Sequence, residues 1–144
     1  MSINIPVGLK IAIINRTFKQ KMDRKAQKMN LTSVQLRVLG EVSLLEANGT
    51  GEIHQIDLEK AEHVTHPTMI GILKQLEKKG FIVCGTSSGD KRYKRILCTE
   101  KSRGIHLEIQ KQDDEIFNEL CHNLTEEQKK EFLNISDMIL KNIY

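Results

Sequence analysis

Residues 65–95 hold seven Lys/Arg against two Asp/Glu, whereas residues 96–144 hold six against ten, so positive charge is concentrated in the middle of a chain whose net charge is only +3. Two groups of residues there can do chemistry on an acidic polymer. In the first, Thr68, Ile70, Gly71, Lys74 and Gln75 are spaced to share the outer side of one helix, with His66 at its entry. Gln75 or His66 can hydrogen-bond base edges, Ile70 can meet a thymine methyl, and Lys74 can reach a phosphate or a guanine. The spacing alone does not rank these contacts. In the second group Lys91 and Arg92 sit at or near the tip of a turn, suited to a phosphate or to a minor groove, whose negative potential favours arginine. Asp90, beside them, is not an evident contact and is expected to orient Arg92 or shape the turn.

Other chemistries lack candidates. There is no Gly-rich phosphate loop and no nucleophile with a plausible base, so the chain is not read as an enzyme. His54, His63, His66, His106 and His122 form no HxxxH pair, and no metal or other cofactor is expected. Cys84, Cys98 and Cys121 are odd in number and far apart, which argues for free thiols in a reducing compartment and against a disulfide framework. No stretch approaches the roughly 18 apolar residues of a membrane span, and Met1 to Lys10 lacks a signal-peptide pattern, so a cytoplasmic protein without a membrane partner is expected.

The elements that must position these residues follow from periodicity and caps. Val7, Ile11, Ile14, Phe18 and Met22 predict a helix from about Pro6 to Lys28. Thr32 is placed to cap a second helix with the stripe Val34, Val38, Val42 and Leu45, ending before the turn Asn48-Gly49-Thr50-Gly51. A short helix is expected over Ile53 to His63, presenting Ile56, Leu58 and Ala61. Thr65 then caps a fourth helix, with Pro67 tolerated in its first turn. In that helix Met69, Ile72, Leu73 and Leu76 form one apolar face, and Gly80 follows as a stop. Phe81–Cys84 and Tyr93–Cys98 read as two strands of a hairpin with a basic tip. Thr99 is expected to cap a long helix to about Leu120. Thr125 with Gln128 forms a capping box for a last helix bearing Phe132, Ile135, Ile139 and Ile143.

A mainly α fold with a small β-hairpin wing results: a short helix, a tight turn, a helix with a small polar outer face, and a basic hairpin at once behind it are the parts of a winged helix-turn-helix. Several stretches then resemble the MarR family of regulators. Leu31-Thr32-Ser33-Val34-Gln35-Leu36-Arg37-Val38-Leu39 fits its Leu-Thr-x-x-Gln-x-x-Val-Leu pattern, Thr65-His66-Pro67-Thr68 its Ser/Thr-x-Pro-Thr pattern, and Leu76-Glu77-Lys78-Lys79-Gly80-Phe81-Ile82 its Leu-Glu-x-x-Gly-x-Ile pattern. Asp90-Lys91-Arg92 fits the Asp-x-Arg wing. Cys98-Thr99-Glu100-Lys101-Ser102 departs from Leu-Thr-x-x-Gly at its first and last positions.

The resemblance implies a single domain over 1–144, with dimerisation helices at about 1–30 and 100–144 and a DNA-binding lobe at about 31–99. It further implies a homodimeric repressor on a roughly palindromic double-stranded DNA operator, open to modulation by a small-molecule effector bound between the dimer helices and the lobe. Oxidant-responsive members of the family typically carry a cysteine in the N-terminal helix, and none stands there. The alternative is a winged-helix module that uses the same outer face on a protein partner, distinguishable by salt, since binding through phosphates weakens steeply as salt rises.

Overall fold

The computed structural model describes residues 4–49 and 51–144. Thr50, in the turn expected after the second helix, and Met1–Ile3 lie outside the described residues. Six helices and one hairpin follow in the order α1 (Val7–Gln27), α2 (Ser33–Asn48), α3 (Gln55–Glu62), α4 (His66–Lys78), β1 (Ile82–Thr86), β2 (Lys94–Cys98), α5 (Ile105–Leu120) and α6 (Glu126–Leu140).

Local chemistry explains most of the boundaries. At the start of α2 the Thr32 hydroxyl accepts from the Gln35 amide at 3.2 Å while Gln35 Oε1 accepts from the Thr32 amide at 3.1 Å, a reciprocal capping box. The same exchange between Thr125 and Gln128 opens α6. Gly80, with φ of 80°, adopts the left-handed conformation that stops the chain behind α4.

Three expectations fail for identifiable reasons. Thr99 does not cap α5: its hydroxyl donates to the Gly80 carbonyl at 2.7 Å and its own carbonyl accepts from Ser102 and Arg103, making a turn that delays the helix to Ile105. Ile53 does not begin α3, because its carbonyl accepts from the Ile96 amide at 2.9 Å and ties this residue to the hairpin instead. Thr65 occupies the N-cap of α4 with extended backbone, yet its hydroxyl donates to Thr68 Oγ1 at 3.0 Å and leaves the helix amides alone.

The core sits under α2, whose Leu36, Val38, Leu39 and Val42 are buried against Leu58 of α3, the inner face of α4, and Ile82, Ile96 and Cys98 of the hairpin. Strands β1 and β2 pair antiparallel from Ile82↔Cys98 to Thr86↔Lys94. On the far side α5 crosses α2 so closely that a Cβ on Gly40 would lie 2.8 Å from Ile109 Cδ1. There the Ser43 hydroxyl bonds His106 Nδ1 at 2.7 Å. Of the three residues expected to anchor α3, only Leu58 is buried; Ile56 and Ala61 face outward.

The apolar stripes of the terminal helices behave differently from that core. In α1, Phe18 and Met22 pack inward, but Val7, Ile11 and Ile14 are 73%, 63% and 56% exposed. Helix α6 has no buried residue among those described, with Phe132, Ile135, Ile139 and Ile143 all open. Folding of one chain leaves these faces bare.

Because Leu58 is the one buried side chain of α3, Leu58→Ala is expected to lower unfolding stability by about 2–5 kcal/mol, read from urea denaturation at fixed protein concentration. A loss below about 1 kcal/mol would mean that α3 is held by something other than this side chain.

Candidate nucleic-acid interface

Helix α4 is amphipathic in a way that frees one side. Met69, Ile72, Leu73 and Leu76 are buried, while Thr68, Gly71, Lys74 and Gln75 are exposed together on the opposite side. Gly71 stands in open space, since a Cβ there would meet nothing within 4 Å. Internal packing therefore does not explain this helix-weakening residue, and an external surface that comes close is the reading left. Ile70 departs from the expectation: it is half-buried and turns toward Cys84, Lys94 and Ile96 in a recess between α4 and the hairpin.

His66 lies at the first turn of α4 with its Nδ1 3.0 Å from Gln55 Nε2 and 3.2 Å from the Glu59 carboxylate, so that it accepts from the first or donates to the second according to its tautomer. In either tautomer a residue of α3 holds the imidazole, and the ring remains largely exposed.

The wing turns where expected, with Lys91 and Arg92 exposed beyond the last paired residues Thr86 and Lys94. Asp90 meets Arg92 through both backbone and side chain. Its Oδ1 accepts from the Arg92 amide at 3.0 Å, closing the turn, and its carboxylate grips the guanidinium from Nε at 3.1 Å and Nη2 at 2.7 Å. Those bonds from Arg92 hold the Asp90 carboxyl below its ordinary value. Between wing and helices lies an open groove of about 540 Å³, with Gln55, Ile56 and His66 on one wall and Arg92 and Tyr93 on the other.

Glu52 was not foreseen. It precedes α3 in sequence, and its carboxylate accepts from Ser87 Oγ at 2.5 Å, Ser88 Oγ at 2.6 Å, the Ser88 amide at 2.9 Å and His54 Nε2 at 3.1 Å. These donors lower its pKa to about 2, the Ser87 hydroxyl first among them. The signal was faint: an acid three positions before a helix start, and a Ser-Ser pair far along the chain.

The thiols are quiet. Burial, reinforced by the negative Glu77 carboxylate, pushes Cys84 up to about 11, so it stays a protonated, weakly nucleophilic thiol. Cys98 is buried and likewise raised by burial. Among the described residues no His/Cys/Asp/Glu group is arranged to hold a metal ion, and no helix is long and apolar enough to cross a membrane.

The arrangement agrees with a family model described as MarR family, which matches residues 31–94. That match spans the helices α2 to α4 and the hairpin up to the start of β2. Solved structures similar to this chain over nearly its whole length include one of MarR, at 24% identity and a TM-score of 0.82, covering 99% of this chain and 94% of that one. A second is Staphylococcus aureus MepR in complex with DNA, at 26% identity and 0.81, covering 96% and 99%. A third is the transcriptional regulator SlyA, at 22% and 0.82, covering 96% and 94%. The winged-helix fold expected from the sequence is thus the observed one.

The two departures from the family pattern have local consequences only. Cys98 fills a buried strand position, and Ser102, where the pattern has glycine, is buried with its hydroxyl donating to the Phe81 carbonyl at 2.5 Å.

A carboxyl held near 2 contributes to wing order above its unfolded value near 4.5 and loses that contribution as pH falls from there through about 2. Carbon-detected NMR titration should therefore find the Glu52 midpoint near 2, and Ser87→Ala should move it upward. A midpoint near 4.5 in the unaltered protein would show that the Ser87 and Ser88 bonds do not form in solution.

Proposed function

We propose that this chain is a cytoplasmic, homodimeric, sequence-specific regulator of transcription that binds double-stranded DNA, acts as a repressor, and is open to modulation by a small ligand. The observation that carries the DNA reading is the bare outer side of α4, with Thr68, Gly71, Lys74 and Gln75 unpacked, standing beside a wing whose Arg92 is aimed by Asp90. A helix so presented enters a major groove, and an arginine so placed reaches the flanking minor groove. The similarity to MepR, whose structure contains DNA, supports this.

In this reading His66, Thr68, Gly71, Lys74 and Gln75 face the major groove, Ile70 borders it from the recess beside the hairpin, and Lys91 and Arg92 face the phosphates or minor groove, while Asp90 orients Arg92. Residues of about 31–99 make up the DNA-binding lobe. The bare stripes of α1 and α6 support pairing of two chains through the segments 1–30 and 100–144, and a two-fold dimer matches a palindromic operator. A recess of about 190 Å³ between α1, α2 and α5, floored by Phe18, Met22 and Leu36, lies where helices meet the lobe and supports the ligand component.

Binding to duplexes selected from a random pool, at two salt concentrations and with dimer mass recorded, tests the reading. A palindromic winner whose affinity falls steeply with salt is expected. Salt-insensitive behaviour, or a folded dimer that enriches nothing, would favour a protein-interaction module instead. Arg92→Ala and Lys74→Ala should each weaken binding by about ten-fold with the dimer intact, and unchanged affinity in both places the interface elsewhere.

Gly71→Ala separates stability from function. With nothing near the added methyl, the variant should be more stable by about 0.5–1 kcal/mol in thermal unfolding. It should nonetheless bind the operator more weakly, because the methyl intrudes on the close approach. A variant that binds as well as the parent leaves Gly71 with no part in the interface.

A further inference from the structure

The loop between β1 and β2 spans residues 87–93, long for a hairpin, and its own backbone–backbone bonds are sparse: Ser87 N donates to the Tyr93 carbonyl at 3.1 Å and Tyr93 N to the Asp90 carbonyl at 3.1 Å. An isolated two-stranded hairpin is marginally stable in water, so the paired strands alone do not fix such a tip. The attachment comes from outside the hairpin. Glu52 takes the hydroxyls of Ser87 and Ser88 and the amide of Ser88, while the same carboxylate accepts from His54, the N-cap residue of α3.

The charge of Glu52 points the same way. A carboxylate on a face that meets phosphates opposes binding, and it lowers no barrier unless its position does something else. Here three of the contacts come from the wing and one from the helix-turn-helix side, and Arg95 Nη1 of β2 stands 4.0 Å away as a partial counter-charge. Ser87 is buried at the joint, and its Oγ also accepts from the Gly89 amide at 3.3 Å, which carries the restraint to the residue before Asp90. A chain of bonds then runs from α3 through Glu52, Ser87 and Gly89 to the Asp90–Arg92 grip.

We propose that Glu52 is a positioning residue for DNA recognition, one that locks the wing to the start of α3 so that Arg92 and the outer side of α4 meet the duplex as one rigid body. The inference rests on the DNA-binding reading above. Without the lock the tip must be ordered at the moment of binding, and ordering one or two side chains and their loop costs about ten-fold in affinity.

The test uses the full-length dimer and the selected operator duplex, with Glu52→Ala, Glu52→Gln, Ser88→Ala, Arg92→Ala and the Glu52→Ala/Arg92→Ala double variant. Glu52→Ala should lose about ten-fold in affinity, nearly all of it shared with Arg92→Ala, so that the double variant is no weaker than Arg92→Ala. Hydroxyl-radical footprints should lose minor-groove protection at the operator flanks while guanine protection in the major groove persists. Ser88→Ala, an exposed change that leaves the fold alone, should lose affinity in the same direction by a smaller factor, and Glu52→Gln should retain part of the binding through its remaining acceptor oxygen.

Independent, additive losses, or simultaneous loss of major-groove protection, would overturn the positioning role. Arg92→Ala weak but Glu52→Ala and Ser88→Ala both unaffected would sink this inference and leave the DNA reading standing. Arg92→Ala without effect would remove the wing from the interface and this inference with it.

Discussion

The apolar side of α2 is the surface on which the other elements of the lobe are laid. Leu36, Leu39 and Val42, with Val38 beside them, receive α3 through Leu58, α4 through its buried quartet, and β2 through Ile96 and Cys98. Burial of such side chains stabilises by roughly 1.5–3 kcal/mol each, far more than any single polar bond on the outside. The opposite side of the same helix meets α5, where Gly40 lets Ile109 approach and Ser43 holds His106. One helix therefore connects the elements that face outward as a recognition surface to the element that leads away toward α6.

On that frame, carboxylates act as acceptors for backbone and wing donors more than as free charges. Glu46 takes the Cys98 amide at 2.6 Å, Glu77 the Cys84 amide at 3.0 Å, Asp90 the Arg92 amide and Glu52 the Ser88 amide. Each pins a hairpin amide to a helix, to a turn or, in the case of Glu52, to the segment before α3. The surface keeps its cations where the acids are so engaged: Lys74, Lys78, Lys91 and Lys94 have no ion-pair partner among the described residues. A face that is positive by placement, in a chain of nearly balanced charge, follows from where the acids spend their lone pairs.

What was legible from the residues was whatever local chemistry decides. Helical periodicity located α1, α2 and α4 because apolar spacing and caps such as Thr32 agree there, and alternation located the strands. Two of the failures, at Thr99 and Ile53, share one cause, competition from a distant partner. Thr99 has the type and place of a cap, but the Gly80 carbonyl takes its hydroxyl. Ile53 has the type to start a helix, but the Ile96 amide takes its carbonyl. Ile56 and Ala61 fit the period of a buried face, yet α3 is too short to bury more than Leu58. Glu52 escaped notice because its partners lie 35 and 36 residues away and nothing in its own neighbourhood marks it.

The bare faces of α1 and α6 impose a different kind of constraint. A helix such as α6, whose isoleucines and phenylalanine are open and none of whose described residues is buried, gains little from the fold of its own chain. Its apolar side is stabilised only when another surface covers it, so on the proposed reading folding and pairing are one equilibrium. The tethers across to α5 are exposed ion pairs, Lys21 with Glu119 and Lys25 with Glu115, each worth little in water. The lobe, by contrast, is closed by buried apolar contacts and by the carboxylate bonds to the wing. Packing is thus unevenly distributed: the inner half of α1 shares a closed core with Ile116 of α5 through Met22 and Ala26, whereas the outer stripe of α1 and the whole of α6 stay open.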